Sequence, residues 1–131
     1  MPHKRLYEEA LTGSVIGAFF DVYNTLGHGL LEYLYSAALE HELLARGHAV
    51  ARELSVPVTY KGVEIGWQRL DLVVDGRLVV EVKSTPTLLP GATRQLYNYL
   101  HATRLNVGLL LHFGLEPHFY RVVWLAGEGR A

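Results

Sequence analysis

The sequence contains no cysteine, which excludes disulfides and thiolate-held metals and leaves nothing that calls for an oxidising compartment. It also has no long apolar run. The strongest, Val107 to Leu111, falls far short of the ~20 residues that a membrane-spanning helix requires. The N-terminus, Met-Pro-His-Lys-Arg followed by Leu6-Tyr7-Glu8-Glu9, has neither the apolar core nor the small-residue cleavage site of a secretion signal. The expectation is a soluble cytoplasmic protein with no membrane partner. An excess of positive charge is missing as well: 12 Lys plus Arg stand against 13 Asp plus Glu, for a formal net charge of -1. The broad positive field of a dedicated duplex-DNA binder is therefore absent, although cations held by carboxylates can supply positive charge locally. Histidine is plentiful, yet His28, His41, His48, His101, His112 and His118 show no close paired spacing and no His-Glu-x-x-His helix, which argues against zinc.

What is present is a chain of 131 residues, half of them hydrophobic, long enough for one core and too short for two ordinary domains. It reads as a single domain over 1–131, with a short N-terminal arm and a mobile tail from about residue 126. From Ser14 to Leu26, Val15, Ile16, Phe19, Phe20, Val22, Tyr23 and Leu26 recur at helical spacing. Gly27-His28-Gly29 breaks that helix. Leu31, Leu34, Tyr35, Ala38, Leu39 and Leu43 resume the periodicity until Gly47, which puts Glu32 in the first turn of a second helix.

Val50 to Tyr60 alternates and is β-branched but contains Pro57, as an edge strand can. Val63 to Val74, Asp75-Gly76 and Arg77 to Lys83 spell a β-hairpin. After Pro86 and Pro90, residues Ala92 to Thr103 carry Leu96, Tyr99, Leu100 and Thr103 at helical spacing. Asn106 to Phe113 suits a buried strand, and Phe119 to Leu125 a last one.

The register of the hairpin follows from its side chains, because a slip of one residue sends each of them to the other face. A two-residue turn would bury Asp71 among Leu78, Val80 and Val82 with no visible partner, which is costly. An odd-numbered loop with Gly76 in the left-handed position instead gathers Leu70, Leu72, Val74, Leu78, Val80 and Val82 on one face. The opposite face then holds Arg69, Asp71, Val73, Val79, Glu81 and Lys83.

Two carboxylates and an ammonium thus converge. Hard cations such as Mg²⁺ or Mn²⁺ take oxygen ligands and bind through one or two carboxylates together with substrate phosphate and water. A lysine beside them can act on the attacking water and on charge developing at a scissile phosphate. The same spacing also fits an ordinary acid and base paired across a solvated face.

Asp71 followed by Glu81-Val82-Lys83 resembles the Asp…Glu-x-Lys signature of PD-(D/E)XK nucleases. Gln95-Leu96-Tyr97-Asn98-Tyr99 is similar to the Gln-x-x-x-Tyr motif on the helix after the Glu-x-Lys strand in RecB-like members. Gly29-Leu30-Leu31-Glu32-Tyr33-Leu34-Tyr35 matches the signature of the GxxExxY family, a small group assigned to that superfamily. The similarity runs from about Leu6 to Val123 and includes Leu11-Thr12-Gly13, Arg69-Leu70-Asp71 and Gly108-Leu109-Leu110. The family pattern tends to have proline where this chain has His28, and asparagine near His112.

The resemblance implies an α/β fold, with a mixed sheet of about five strands flanked by helices. It implies a metal-dependent nuclease acting on nucleic acid, with DNA the expected substrate and Mg²⁺ or Mn²⁺ the cofactor. Asp71, Glu81, the carbonyl of Val82 and Glu32 would serve the metal, Lys83 the water and phosphate, and Gln95 and Tyr99 the substrate. Arg69, on the proposed site face, is a further substrate-binding candidate; Trp67, Arg94 and Arg104 fit either nucleic-acid contact or surface cover. Tyr35 and Tyr99 fit core packing as well as function, and Glu32 can complement a helix dipole. The competing readings are a catalytically weak nucleic-acid-binding module and a dimeric interaction module that keeps the fold.

Overall fold

The computed structural model describes residues 7–125; the expected N-terminal arm before them and the tail from about 126 lie outside the described residues. The elements run α1 (Glu9–Leu26), α2 (Glu32–Ala45), β1 (Val50–Tyr60), β2 (Val63–Val74), β3 (Leu78–Lys83), α3 (Ala92–Thr103), β4 (Val107–Phe113) and β5 (Pro117–Val123). The five strands form one sheet in the order β1-β2-β3-β4-β5. The β3–β4 pair is parallel, with α3 as its crossover, and the other pairs are antiparallel. The mixed five-strand sheet with flanking helices is the architecture expected from the sequence. Among the described residues no helix is long and apolar enough to cross a membrane.

Two element boundaries differ from expectation. Helix α1 starts at Glu9, not Ser14, because Leu11 and Thr12 prolong its buried stripe and the Thr12 hydroxyl donates back to the Glu9 carbonyl at 3.0 Å. Strand β5 starts at Pro117, which still pairs with Phe113 across the ladder, and ends at Val123.

Helices α1 and α2 cover one face of the sheet, where Val15, Phe19, Tyr35 and Leu39 pack against Leu72, Val80, Val82, Leu109 and Leu111. Helix α3 covers the other, placing Leu96, Tyr99 and Leu100 against Val73, Val79 and Leu110. Strand β4 is buried along its whole length, as a strand covered on both faces must be. Gly108 sets the closeness of α3, since a Cβ there would meet Leu96 at 2.7 Å. Strand β1 forms one edge of the sheet and carries Pro57, where a missing N–H disturbs the fewest ladder bonds.

The hairpin pairs Leu72 with Val80, Val73 with Val79 and Val74 with Leu78, which is the odd-numbered register. At its turn the Arg77 N–H donates to the Val74 carbonyl at 3.0 Å, and both Asp75 (φ 54°) and Gly76 (φ 66°) are left-handed. The strain at Asp75 is offset by its carboxylate. One oxygen accepts the Ala49 N–H at 2.8 Å, and the other lies 2.8 Å from His48 Nδ1, whose Nε2 is 2.7 Å from the Ser14 hydroxyl. The turn is thereby fastened to α1.

One expectation about this hairpin fails. Leu70 does not share a face with Leu72; it packs on the α3 side with Leu96, Tyr99 and Val79. The ladder between β2 and β3 ends at Leu72–Val80, and Glu53 of β1, between the paired residues Arg52 and Leu54, has a left-handed φ of 57°. Beyond Leu72, strand β2 leaves β3 and continues beside β1 alone. Strict alternation holds for a straight, doubly paired strand, and β2 stops being one at Asp71.

Candidate active site

The divergence of β2 from β3 shapes the centre of the site. Asp71 sits where the ladder ends, and its Oδ2 accepts a hydrogen bond from the Val82 N–H at 2.7 Å. The carboxylate thus replaces the carbonyl that a continued strand would have offered. Glu81, ten residues further on β3, projects toward Asp71 and is only 4% exposed. Burial, and then the charge of Asp71, push the Glu81 carboxyl up to about 8. Its Oε1 is buried and has no hydrogen-bond partner. Lys83 Nζ stands 3.9 Å from Glu81 Oε2 and donates to Gln95 Oε1 at 3.3 Å.

Gln95 lies in the first turn of α3 and Tyr99 one turn later on the same helix face. Tyr99 is almost fully buried, and its phenol is pushed up to about 12, by burial first and then by Glu81 and Asp71. It stays a neutral hydroxyl next to the two carboxylates. Glu32 arrives from the other side of the sheet as the first residue of α2, and its Oε2 accepts the Ser84 N–H at 3.4 Å. Glu32, Lys83 and Gln95 line a common cleft of about 450 Å³, closed by Leu88, Leu89 and Pro90 of the loop before α3. A smaller hollow of about 140 Å³ joins Glu32 to Asp71, Glu53, Tyr33 and Arg69.

Glu32, Arg69, Asp71, Glu81, Lys83, Gln95 and Tyr99 therefore border one region, but in two groups, while Arg94 and Arg104 lie over the rings of Tyr97 and Trp124. Asp71, Glu81, Lys83, Gln95 and Tyr99 surround the end of β3. Arg69 stands apart from Glu81 and Lys83, its guanidinium 4.0 Å from Glu53. Glu32 touches both hollows.

A family model described as the PD-(D/E)XK nuclease superfamily matches residues 9–122. The chain belongs to this superfamily. Among solved structures, the crystal structure of SSO0001 shares the fold at a TM-score of 0.56 with 18% sequence identity; the match covers 95% of this chain and 63% of that one. No curated protein matches the sequence. PD-(D/E)XK nucleases typically use divalent metals, and the residues here fit one. The donors are all oxygen, as hard cations require, and the Glu81 oxygen beside Asp71 is a buried acceptor with no hydrogen-bond partner. Among the described residues no three His, Asp or Glu side chains come together closely enough to hold an ion, so Glu32 does not join Asp71 and Glu81 in such a group.

Two residues that position this PD-(D/E)XK site were not assigned a role from sequence. His112, buried on β4 and paired with Lys83 across the parallel ladder, places its Nε2 2.6 Å from the Thr85 carbonyl and so seats the loop that follows Lys83. Tyr35 donates to the Gly27 carbonyl at 2.6 Å, accepts the Leu30 N–H at 3.2 Å and stacks on Phe113 at 4.0 Å between ring centres. It pins the Gly27–Leu30 loop that delivers Glu32. The departure from the family pattern near His112 was the one available signal for the first; the clamp at Tyr35 had none beyond its place in the signature.

Proposed function

We propose that this PD-(D/E)XK protein is a metal-dependent nuclease of the GxxExxY group, occupying one domain, that hydrolyses phosphodiester bonds in nucleic acid, with DNA the favoured substrate. The observation that carries the reading is the buried, unpartnered Oε1 of Glu81 beside Asp71, with the Lys83 ammonium 3.9 Å from the other oxygen. A buried carboxylate with a free lone pair is costly, so the metal-free protein keeps Glu81 protonated, and a cation that takes the proton's place satisfies the free oxygen.

In this reading Asp71, Glu81 and the Val82 carbonyl hold Mg²⁺ or Mn²⁺, which when bound supplies Lewis-acid stabilisation of the phosphate and a more acidic water. Lys83 is the cation that reaches that centre, 3.9 Å from Glu81 Oε2. Its ammonium cannot ligate a metal, so it orients the attacking water and offsets charge that develops on the phosphate. Gln95 holds the Lys83 ammonium in place and, with the neutral Tyr99 hydroxyl, positions substrate. Glu32 reaches the centre through a metal-bound water or a second ion, and Arg69 takes a flanking phosphate.

The absence of a three-carboxylate cluster among the described residues favours a second reading, a binding module with weak turnover. A cleavage panel separates the two: single- and double-stranded DNA and RNA, each with Mg²⁺, Mn²⁺ or chelator. Metal-dependent cleavage that Lys83→Ala abolishes supports the nuclease. Salt-sensitive binding without cleavage under any metal supports the module.

A further inference from the structure

Strand β2 does not stop at the candidate centre. After it parts from β3 it runs outward with β1 as its one paired strand among the described residues, Arg69 opposite Ser55 and Trp67 opposite Pro57. Trp67, Arg69 and Asp71 alternate with Gln68 and Leu70, so the three share one face of this arm. Trp67 lies ~13 Å along the strand from Asp71, at ~3.3 Å per residue. Trp67 is 62% exposed, and Tyr33, which lines the small hollow with Arg69 and Asp71, is 61% exposed. Trp124, the other tryptophan, is buried. A large aromatic ring left in water, on the strand face that leads through Arg69 to the candidate metal centre, has no role in the core.

We propose that Trp67, with Tyr33 and Arg69, is a stacking subsite for an unpaired nucleobase flanking the scissile phosphate, so that the substrate is single-stranded at the point of cleavage. The inference rests on the nuclease reading and adds a substrate class to it. Three observations carry it. Among the described residues Trp67 and Tyr33 are largely exposed, and base-to-aromatic stacking needs a base that is not already stacked in a duplex. Arg69 lies between Trp67 and Asp71, where a backbone that passes from platform to centre must place a phosphate. With a net charge of -1, the chain lacks the field that holds a duplex without base contacts, whereas stacking does not depend on that field. Val63, Ile65 and Tyr60 extend the same apolar arm to its tip, so a second copy is the competing occupant.

The test uses the whole protein in chelator, where binding is read without cleavage. Titration with oligothymidylate should quench the exposed Trp67 fluorescence saturably, while a duplex of equal length should not. Trp67→Ala should weaken binding of a labelled oligothymidylate roughly tenfold or more, and Trp67→Tyr, which keeps a stacking face, should retain most of it. The proposal is overturned if single strands leave the fluorescence unchanged, or if Trp67→Ala binds them as tightly as the parent. It is also overturned if light scattering shows a dimer that Trp67→Ala dissociates while oligonucleotide affinity is unchanged. Quenching without cleavage by any metal would uphold the platform and sink the nuclease reading; metal-dependent cleavage without quenching would do the reverse.

Discussion

The Asp71 carboxylate is held at 2.7 Å by the backbone N–H of Val82, so the strand that carries Glu81 and Lys83 also fixes the acid opposite them. This bond makes one residue answerable to two different measurements.

Asp71→Asn keeps an oxygen for the Val82 N–H but removes the charge, whereas Asp71→Ala removes both. Asparagine should therefore leave the unfolding midpoint near that of the parent, and alanine should cost about 1–3 kcal/mol, the usual penalty for a buried donor left unpaired. Both should weaken Mn²⁺ binding. Equal stability of the two variants in denaturant titrations would show that the hydrogen bond contributes nothing.

Glu81 predicts the pH behaviour. Its carboxyl is raised in the folded state from 4.5 to about 8, so between those values the folded metal-free protein holds a proton that the unfolded chain has released. Stability should therefore fall as pH rises through this window and level off above it. Metal must displace that proton, so Mn²⁺ affinity should climb with pH up to about 8. Glu81→Gln should flatten the stability profile and abolish the metal binding. Thermal melts and calorimetry from pH 5 to 9 would check both arms; a parent profile that rises with pH would contradict the argument.

Lys83→Ala should lower phosphodiester cleavage on the order of a hundredfold to a thousandfold, as loss of a well-placed electrostatic group does, while Mn²⁺ affinity stays close to that of the parent. Gln95→Ala keeps the ammonium but removes the 3.3 Å partner that steadies it, and its loss should be smaller. Full activity of Lys83→Ala at saturating metal would reduce the residue to a solvated strand position.

Tyr35→Phe retains the stack on Phe113 and loses both hydrogen bonds to the Gly27–Leu30 loop. Two half-buried backbone groups then lose their partner, each at a cost below the ~1–3 kcal/mol of a fully buried group. Urea denaturation gives the stability loss directly. Cleavage should fall less than for Lys83→Ala, because Glu32 is displaced, not deleted.

Acid should loosen the hairpin turn. The hydrogen bond from His48, and then that from Ala49, hold the Asp75 carboxyl below its usual 3.8, so its contribution is present above that value and is lost as pH falls through the lowered one. Asp75→Asn should therefore be less stable than the parent at neutral pH, and the gap should close in strong acid. A gap that widens toward low pH would exclude this carboxylate as the cause.

The parts of the fold legible in the sequence are those that local chemistry decides. Pro57 marked an edge strand, Asp75-Gly76 marked a turn, and Leu96, Tyr99 and Leu100 marked α3, because each signal acts within a few residues. The register of the hairpin was readable too, since the cost of burying Asp71 among aliphatic side chains left one pairing. What alternation could not show was Leu70, whose face depends on where β2 loses its partner β3. Nor could it show that Glu32 meets Ser84, or His112 meets Thr85, because those meetings are made by the path of the whole chain. Arg69 was grouped with Glu81 for the same reason that Leu70 was grouped with Leu72, and the divergence at Asp71 separates them both.

The edge position of β1 bears on how the protein behaves in concentrated solution. An eleven-residue strand with one side unpaired is a template on which a neighbouring molecule can add its own strand and start a fibre. Pro57 interrupts the row of donors midway, and Arg52 and Glu53 place charges beside it. Restoring an N–H with Pro57→Thr removes that interruption, and the expected result is turbidity and thioflavin binding that grow with protein concentration at unchanged geometry around Asp71 and Glu81.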